Sequence, residues 1–164
     1  MRNDKGNLSA ILIMFVMSTL LVLAWGANAQ AQKSQAAVKA EPAVNQQPLY
    51  TEYKGVRLGM TAEEVRTKLG NPTFMDKELG YFVVSETETV QIGYDTAGKV
   101  KTISIDYQNG VGAPEPKAVV GAELETRPNG SLYKVVYYEK QGFWVSYSRT
   151  AGPVIIATIT IQKM

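Results

Sequence analysis

The sequence predicts an α+β fold made of two tandem units, each a short helix packed on an antiparallel meander of strands. Three observations lead to this fold class. Residues 57–72 carry start and stop signals for one short helix. Further along the chain, apolar residues alternate with polar ones, which is the period of half-buried strands. The alternating segment then occurs a second time, at residues 143–162.

The first helix is predicted by the segment RLGMTAEEVRTKLGNP, residues 57–72. Thr61 suits the N-cap, and Glu64 lies three residues later, which is the spacing of a capping box. Gly70 favours the end of the helix, and Pro72 prevents its continuation. The helix has one narrow apolar stripe, formed by Ala62, Val65 and Leu69. Because so short a helix is unstable alone in water, we expect it to brace a sheet rather than to form a binding site.

An internal repeat predicts the strands. The segment VQIGYDTAGKVKTISIDYQ (90–108) is matched by FWVSYSRTAGPVIIATITIQ (143–162) with one inserted residue, and both copies contain a Thr-Ala-Gly turn. In each copy, alternation places two apolar triplets on the same side of the strands. The predicted core residues are Val90, Ile92, Tyr94, Ile103, Ile105 and Tyr107 in the first copy and Phe143, Val145, Tyr147, Ala157, Ile159 and Ile161 in the second.

The repeat also includes the helices. KAVVG (117–121) stands where RTKLG (66–70) stands in the first copy, which predicts a second short helix. We therefore interpret residues 49–164 as a single α+β domain made of two pseudo-repeats, 50–109 and 110–164. One unit alone would bury too little surface, so the two units are expected to share a sheet or to pack face to face.

The N-terminal segment predicts export. Residues 1–29 combine a positive start, an apolar run and the small-residue ending Ala27-Asn28-Ala29, the three parts of a cleaved signal peptide. The alternative is an uncleaved membrane anchor, since the apolar run has about the minimum length of a membrane span. Residues 30–48 are rich in Ala, Gln and Lys and predict a disordered polar linker. The expected location is the periplasm or the exterior of the cell.

Charge and composition exclude several function classes. The full chain has 17 basic and 15 acidic residues, and the chain after residue 29 has 15 and 14. With no basic run to follow a phosphate backbone, nucleic acid is not an expected partner. The sequence contains no His and no Cys. This composition excludes histidine acid–base catalysis, zinc sites built from Cys and His, disulfides and a cysteine-linked lipid anchor.

Carboxylates are the remaining candidates for chemistry. Glu86, Glu88, Asp95 and Asp106 lie on or beside the predicted strands, without the spacing of a metal-binding loop. A hydrolase that uses carboxylates alone would need them in a deep acidic cleft. We interpret them instead as solvated side chains at strand edges. We therefore expect no enzyme activity, no catalytic residue, no metal and no cofactor.

Aromatic residues cluster towards the end of the chain. Alternation places Tyr133 and Tyr137 on one side of their strand and Tyr138 on the other, and Trp144 opposes the predicted core residues of the next strand. On the sheet face opposite the core, Tyr and Trp are good interface anchors. We therefore predict Tyr138 and Trp144 as protein-binding residues. The alternative is that the two repeats cover both faces of the sheet.

The segment YKGVRLGMTAEEVRTKLGNP (53–72) resembles the opening of the SmpA/OmlA family, the BamE-type small proteins of the outer-membrane barrel-assembly machinery. In that family, Gly-Met-Thr, a helix with paired acids and a Leu-Gly-x-Pro exit precede a three-stranded sheet. The tandem arrangement is similar to the fold of the β-lactamase-inhibitory protein, in which two helix-and-sheet repeats form a concave protein-binding face. The barrel-assembly members carry a lipid on a Cys directly after the signal sequence, and this chain has no Cys.

The resemblance implies a non-enzymatic secreted or periplasmic envelope protein that binds another protein through its sheet. The implied setting is outer-membrane assembly or maintenance, and the implied partner is another envelope protein. The alternative function is a secreted inhibitor of an extracellular enzyme, which the tandem repeat suggests. Contact with a membrane is expected only if the signal segment stays uncleaved.

Overall fold

The computed structural model describes residues 47–164. The predicted signal peptide, residues 1–29, and the predicted linker up to residue 46 lie outside the described residues. Within residues 47–164 the chain forms ten strands, two α-helices and one short 3-10 helix. No helix in this part of the chain is long and apolar enough to cross a membrane.

The strands fall into a small hairpin and a large sheet. The hairpin pairs β1 (Glu52–Tyr53) with β2 (Val56–Arg57). The large sheet is antiparallel and has eight strands. They are β3 (Phe74–Met75), β4 (Leu79–Val83), β5 (Glu88–Tyr94), β6 (Val100–Gln108), β7 (Glu125–Thr126), β8 (Leu132–Tyr138), β9 (Phe143–Arg149) and β10 (Ile156–Lys163). Helix α1 (Ala62–Leu69) precedes β3, and α2 (Pro116–Val120) lies between β6 and β7.

The large sheet joins two consecutive groups of strands edge to edge, in the order β3-β4-β5-β6-β10-β9-β8-β7. Strands β6 and β10 form the junction, with Ile105 opposite Ile159 at its centre. Both side chains are fully buried. Pairing these strands satisfies backbone groups that would otherwise be exposed at two sheet edges, and it merges two small cores into one.

The predicted fold class is wrong. We expected an α+β fold of two tandem helix-plus-meander units, similar to the β-lactamase-inhibitory protein. The described chain is instead mostly one continuous eight-stranded antiparallel sheet, with helices of only eight and five residues. Strands dominate because β6 and β10, of nine and eight residues, pair with each other and leave no boundary between two units. Each short helix covers only part of one sheet face.

One face of the large sheet carries the core, as alternation predicts. All the predicted core residues are buried, with exposed fractions between 0 and 9%. Helix α1 adds Val65 to this core, and α2 adds Val119 and Val120. Tyr53 and Val56 of the small hairpin join the same cluster. We call this side of the sheet the covered face.

Helix α1 forms where the sequence predicts it. The Glu64 N–H donates to Thr61 Oγ1 at 3.2 Å, and the Thr61 N–H donates to Glu64 Oε2 at 2.7 Å, which completes the capping box. Gly70 follows the helix with a φ of 83°, a value that favours glycine. Val65, on the predicted apolar stripe, is fully buried. The apolar stripe of the helix therefore packs into the core of the covered face.

Candidate functional site

The second face of the large sheet, which we call the open face, carries the side chains that alternate with the core. Neither helix packs on it, because the buried residues of both helices belong to the core of the covered face. Most of its side chains are half-buried. The alternative expectation, that the two repeats cover both faces, is therefore wrong for the described helices. Two side chains of the open face, Val135 and Ser146, are buried, with exposed fractions of 9% and 7%, and the others are at least partly accessible.

The centre of the open face is a band of short hydroxyl, amide and carboxylate side chains, which we call the hydroxyl band. Its members are Thr89, Gln91, Thr102, Ser104, Asp106, Ser146, Ser148, Thr158, Thr160 and Gln162. Across the β6–β10 junction, Thr158 Oγ1 donates to Asp106 Oδ1 at 2.7 Å, and the Ser104 and Thr160 hydroxyl oxygens are 3.2 Å apart. Asp106 is the only charged member. The band therefore offers many hydrogen-bonding groups and little charge.

Aromatic side chains flank the hydroxyl band on the side of β8. Tyr137 of β8 lies directly opposite Trp144 of β9. Val135 and Tyr133 continue the same face along β8, and the Arg127 guanidinium lies over the Tyr133 ring, 4.2 Å from its centroid. We call Tyr133, Val135, Tyr137 and Trp144 the aromatic end. Tyr and Trp combine a large apolar surface with a polar group, which suits them to protein interfaces.

A second apolar group flanks the hydroxyl band on the side of β4. Phe74 of β3 lies opposite Tyr81, and Leu79 and Val83 share this face. Phe74 is 54% exposed and Val83 is 55% exposed. We call these four residues the β4 end. Clustered exposed apolar side chains with a polar border are typical of interaction sites.

The structure places the two predicted protein-binding residues on opposite faces of the large sheet. Trp144 lies on the open face, as alternation predicts, whereas Tyr138 lies in the core with an exposed fraction of 2%. Tyr138 pairs with Phe143, and their ring centroids are 5.2 Å apart. Residues directly opposite each other in an antiparallel pair share a face, so the partner of a core residue also faces the core. The expectation that Tyr138 faces away from the core is wrong.

Tyr137 has the position on the open face that we predicted for Tyr138. The sequence contains the signal for this register, in the connection between β8 and β9. Glu139–Gln141 form a 3-10 turn that ends at Gly142, and this short connection places Tyr138 opposite Phe143. The alternation of β8 taken alone does not reveal which of its two sides meets the core.

Three of the four carboxylates considered for catalysis, Glu88, Asp95 and Asp106, accept hydrogen bonds within the fold. The Tyr53 hydroxyl donates to Glu88 Oε1 at 2.8 Å, and the Glu88 side chain is only 17% exposed, so it is not a solvated edge residue. Asp95 Oδ1 accepts from the N–H groups of Lys99 and Ala97 in the β5–β6 turn. The bond from Lys99, assisted by that from Ala97, holds the pKa of Asp95 below the ordinary aspartate value. Within residues 47–164 no group of three or more acidic side chains is placed to hold a metal ion.

Comparisons with known proteins leave the family of this chain open. No protein-family model, no curated protein and no solved structure matches it. The resemblance of residues 53–72 to the SmpA/OmlA family stays a prediction from the sequence. A function must therefore be argued from the open face itself.

Proposed function

We propose that this protein is an exported, non-enzymatic protein that binds another protein through the open face of its sheet. The observation that carries the proposal is the composition of that face. A nearly uncharged hydroxyl band lies between the aromatic end and the exposed apolar side chains of the β4 end. In a complex, the aromatic end supplies the buried anchors and the hydroxyl band supplies the hydrogen bonds.

Protein is the class of partner that this chemistry favours. A nucleic-acid interface needs a row of basic side chains, and the hydroxyl band contains none. Protein interfaces instead combine aromatic anchors, few charges at the centre and regularly spaced hydrogen bonds. The bonds between Thr158 and Asp106 and between Ser104 and Thr160 order the band before a partner arrives. This order lowers the entropic cost of binding.

The proposed setting is the cell envelope. Two sequence features support it: the predicted signal peptide at residues 1–29 and the resemblance of residues 53–72 to small envelope proteins. The proposal therefore includes an envelope partner and a role in outer-membrane assembly or maintenance. Inhibition of an extracellular enzyme would use the same face, and the identity of the captured partner distinguishes the two roles.

A pull-down from envelope extracts tests the proposal. The bait is the purified protein, compared with the double variant Tyr137→Ala/Trp144→Ala, which truncates both rings of one cross-strand pair. We expect the double variant to lose its specific partner, because aromatic anchors dominate the binding energy of protein interfaces. Mass spectrometry of the recovered proteins measures the loss.

The matched control is Val111→Ala, which truncates an apolar side chain that is 56% exposed and lies outside the large sheet. This variant is expected to recover the same partner as the unmodified protein. Circular dichroism shows whether each variant remains folded. If the folded double variant recovered the same proteins in the same amounts, the open face would not be the binding surface.

A further inference from the structure

A cavity of about 320 Å³ lies between the covered face, helix α2 and the loop that joins β6 to α2. Its floor is one row of paired residues across three strands, Leu132 of β8, Arg149 of β9 and Ala157 of β10. Ala113 and Leu124 are among the residues of its walls. The volume lies at the small end of the range for ligand-binding cavities, about 300 to 1,000 Å³. The cavity is therefore large enough for a small metabolite.

Two opposite charges in the cavity lining have no ion-pair partner. Arg149 and Glu115 both line the cavity, and neither belongs to an ion pair among residues 47–164. The third charged residue of the lining, Glu123, differs because Lys117 Nζ lies 2.6 Å from its Oε1. Both Arg149 and Glu115 are exposed to solvent, and both line the cavity, so a ligand in the cavity could pair with either charge.

Tyr147 adds a phenol to the same lining. Burial raises the pKa of Tyr147, Glu115 raises it further, and Arg149 lowers it. Tyr147, Glu115 and Arg149 all line the same cavity of about 320 Å³. The phenol keeps its proton at neutral pH and can donate or accept one hydrogen bond.

We propose that this cavity binds a free amino acid with an apolar side chain. The carboxylate of the ligand pairs with the Arg149 guanidinium, its ammonium group pairs with Glu115, and its side chain packs against the partly accessible Leu132 and Leu124 of the lining. A simple anion such as phosphate gives Glu115 no partner, and a simple cation gives Arg149 none. A zwitterion satisfies both. The site is independent of the open face, because its floor belongs to the covered face.

Titration of the purified protein with leucine tests this proposal. Backbone amide chemical shifts report the location of binding, and calorimetry reports the affinity. We expect saturable shifts at lining residues such as Gly110, Ala113 and Leu124. N-acetylleucine lacks the ammonium charge and leucinamide lacks the carboxylate. Each is expected to bind at least about tenfold more weakly than leucine, because each loses one charge-assisted hydrogen bond.

Two variants and two matched controls sharpen the test. Arg149→Gln and Glu115→Gln are each expected to weaken leucine binding at least about tenfold. Arg127→Gln and Glu86→Gln remove the same charges outside the cavity and are expected to leave the affinity unchanged. A dispersed amide spectrum shows that each variant is folded. The proposal is overturned if leucine gives no saturable shifts at the lining, if leucinamide or N-acetylleucine binds as tightly as leucine, or if folded Arg149→Gln retains full affinity.

Discussion

The covered and open faces of the large sheet are made by alternate residues of the same strands, yet they differ in burial and in side-chain chemistry. On β10, Ile159 and Ile161 are fully buried, whereas Thr158 and Thr160 are half-buried on the other side. Removing an aliphatic side chain from the covered face leaves a void that packed neighbours cannot fill. Removing a half-buried hydroxyl from the open face, such as that of Thr160, leaves a position that water reaches. Stability therefore depends mainly on the covered face, and the open face is the surface that we propose for binding a partner.

The two faces also show how one strand can present apolar side chains on one side and polar side chains on the other without losing its strand propensity. Ile and Thr are both β-branched, so both favour the extended backbone. Alternating them along β10 changes only the chemistry presented on each side. The open face can therefore be polar without weakening the strand that the core requires.

The largest expected effect comes from a matched pair of substitutions on β10. Ile159→Ala should lower the free energy of unfolding by roughly 2 to 5 kcal/mol, because a fully buried side chain leaves a cavity. Thr160→Ala, on the adjacent residue, should lower it by about 1 kcal/mol, through loss of the half-buried contact between the Thr160 and Ser104 hydroxyls. Urea denaturation measures both. Equal losses would contradict the division of roles between the faces.

A smaller effect is expected at the helix that braces the covered face. Thr61→Ala removes the side chain that accepts the Glu64 N–H at the N-terminus of α1. We expect a loss of about 1 kcal/mol in the free energy of unfolding. Thr67→Ala is a suitable comparison within the same helix, because Thr67 lies outside the capping box. A Thr61→Ala protein as stable as the unmodified one would show that the cap does not hold the brace.

The smallest expected effect is a pH dependence from two carboxylates. Hydrogen bonds from the Thr61 N–H and hydroxyl lower the pKa of Glu64, and the bond from the Lys99 N–H lowers that of Asp95. Because each pKa is lower in the folded than in the unfolded protein, both groups stabilise the fold above the unfolded pKa. This contribution disappears as the pH falls through the folded pKa. NMR titration should give midpoints for Glu64 and Asp95 that lie below the ordinary values of glutamate and aspartate side chains, and higher midpoints would refute the assignment.

Local patterns in the sequence predict much of the covered face. The capping box of α1 and the period-two triplets of β5, β6, β9 and β10 identify the helix and the core residues. These signals are local, because a cap or an alternation is complete within one element. The same signals cannot predict how β6 and β10 meet, since that pairing joins residues such as Ile105 and Ile159 that are distant in the sequence.

The open face was predicted less well, because it depends on register. Alternation along β8 is symmetrical, and only the pairing of Tyr138 with Phe143 shows that Tyr137 is the residue on the open face. The correspondence between the two copies of the repeat also ends after the second Thr-Ala-Gly turn. Val100 is buried, whereas its counterpart Val154 is 61% exposed, because the β9–β10 connection is longer than the β5–β6 connection. The cavity beside Arg149 depends on three strands and a loop, which no local pattern brings together.

Site-specific photo-crosslinking in the native host tests most directly the claim that the open face binds a protein. A photoreactive benzoylphenylalanine replaces Gln91 or Gln162 on the hydroxyl band, and replaces Lys117 or Ala118 on the exposed side of α2 as a control. The account predicts a discrete protein adduct from Gln91 and Gln162 and none from the two α2 positions. Adducts from the α2 positions alone, or no adduct from either position on the open face, would contradict it.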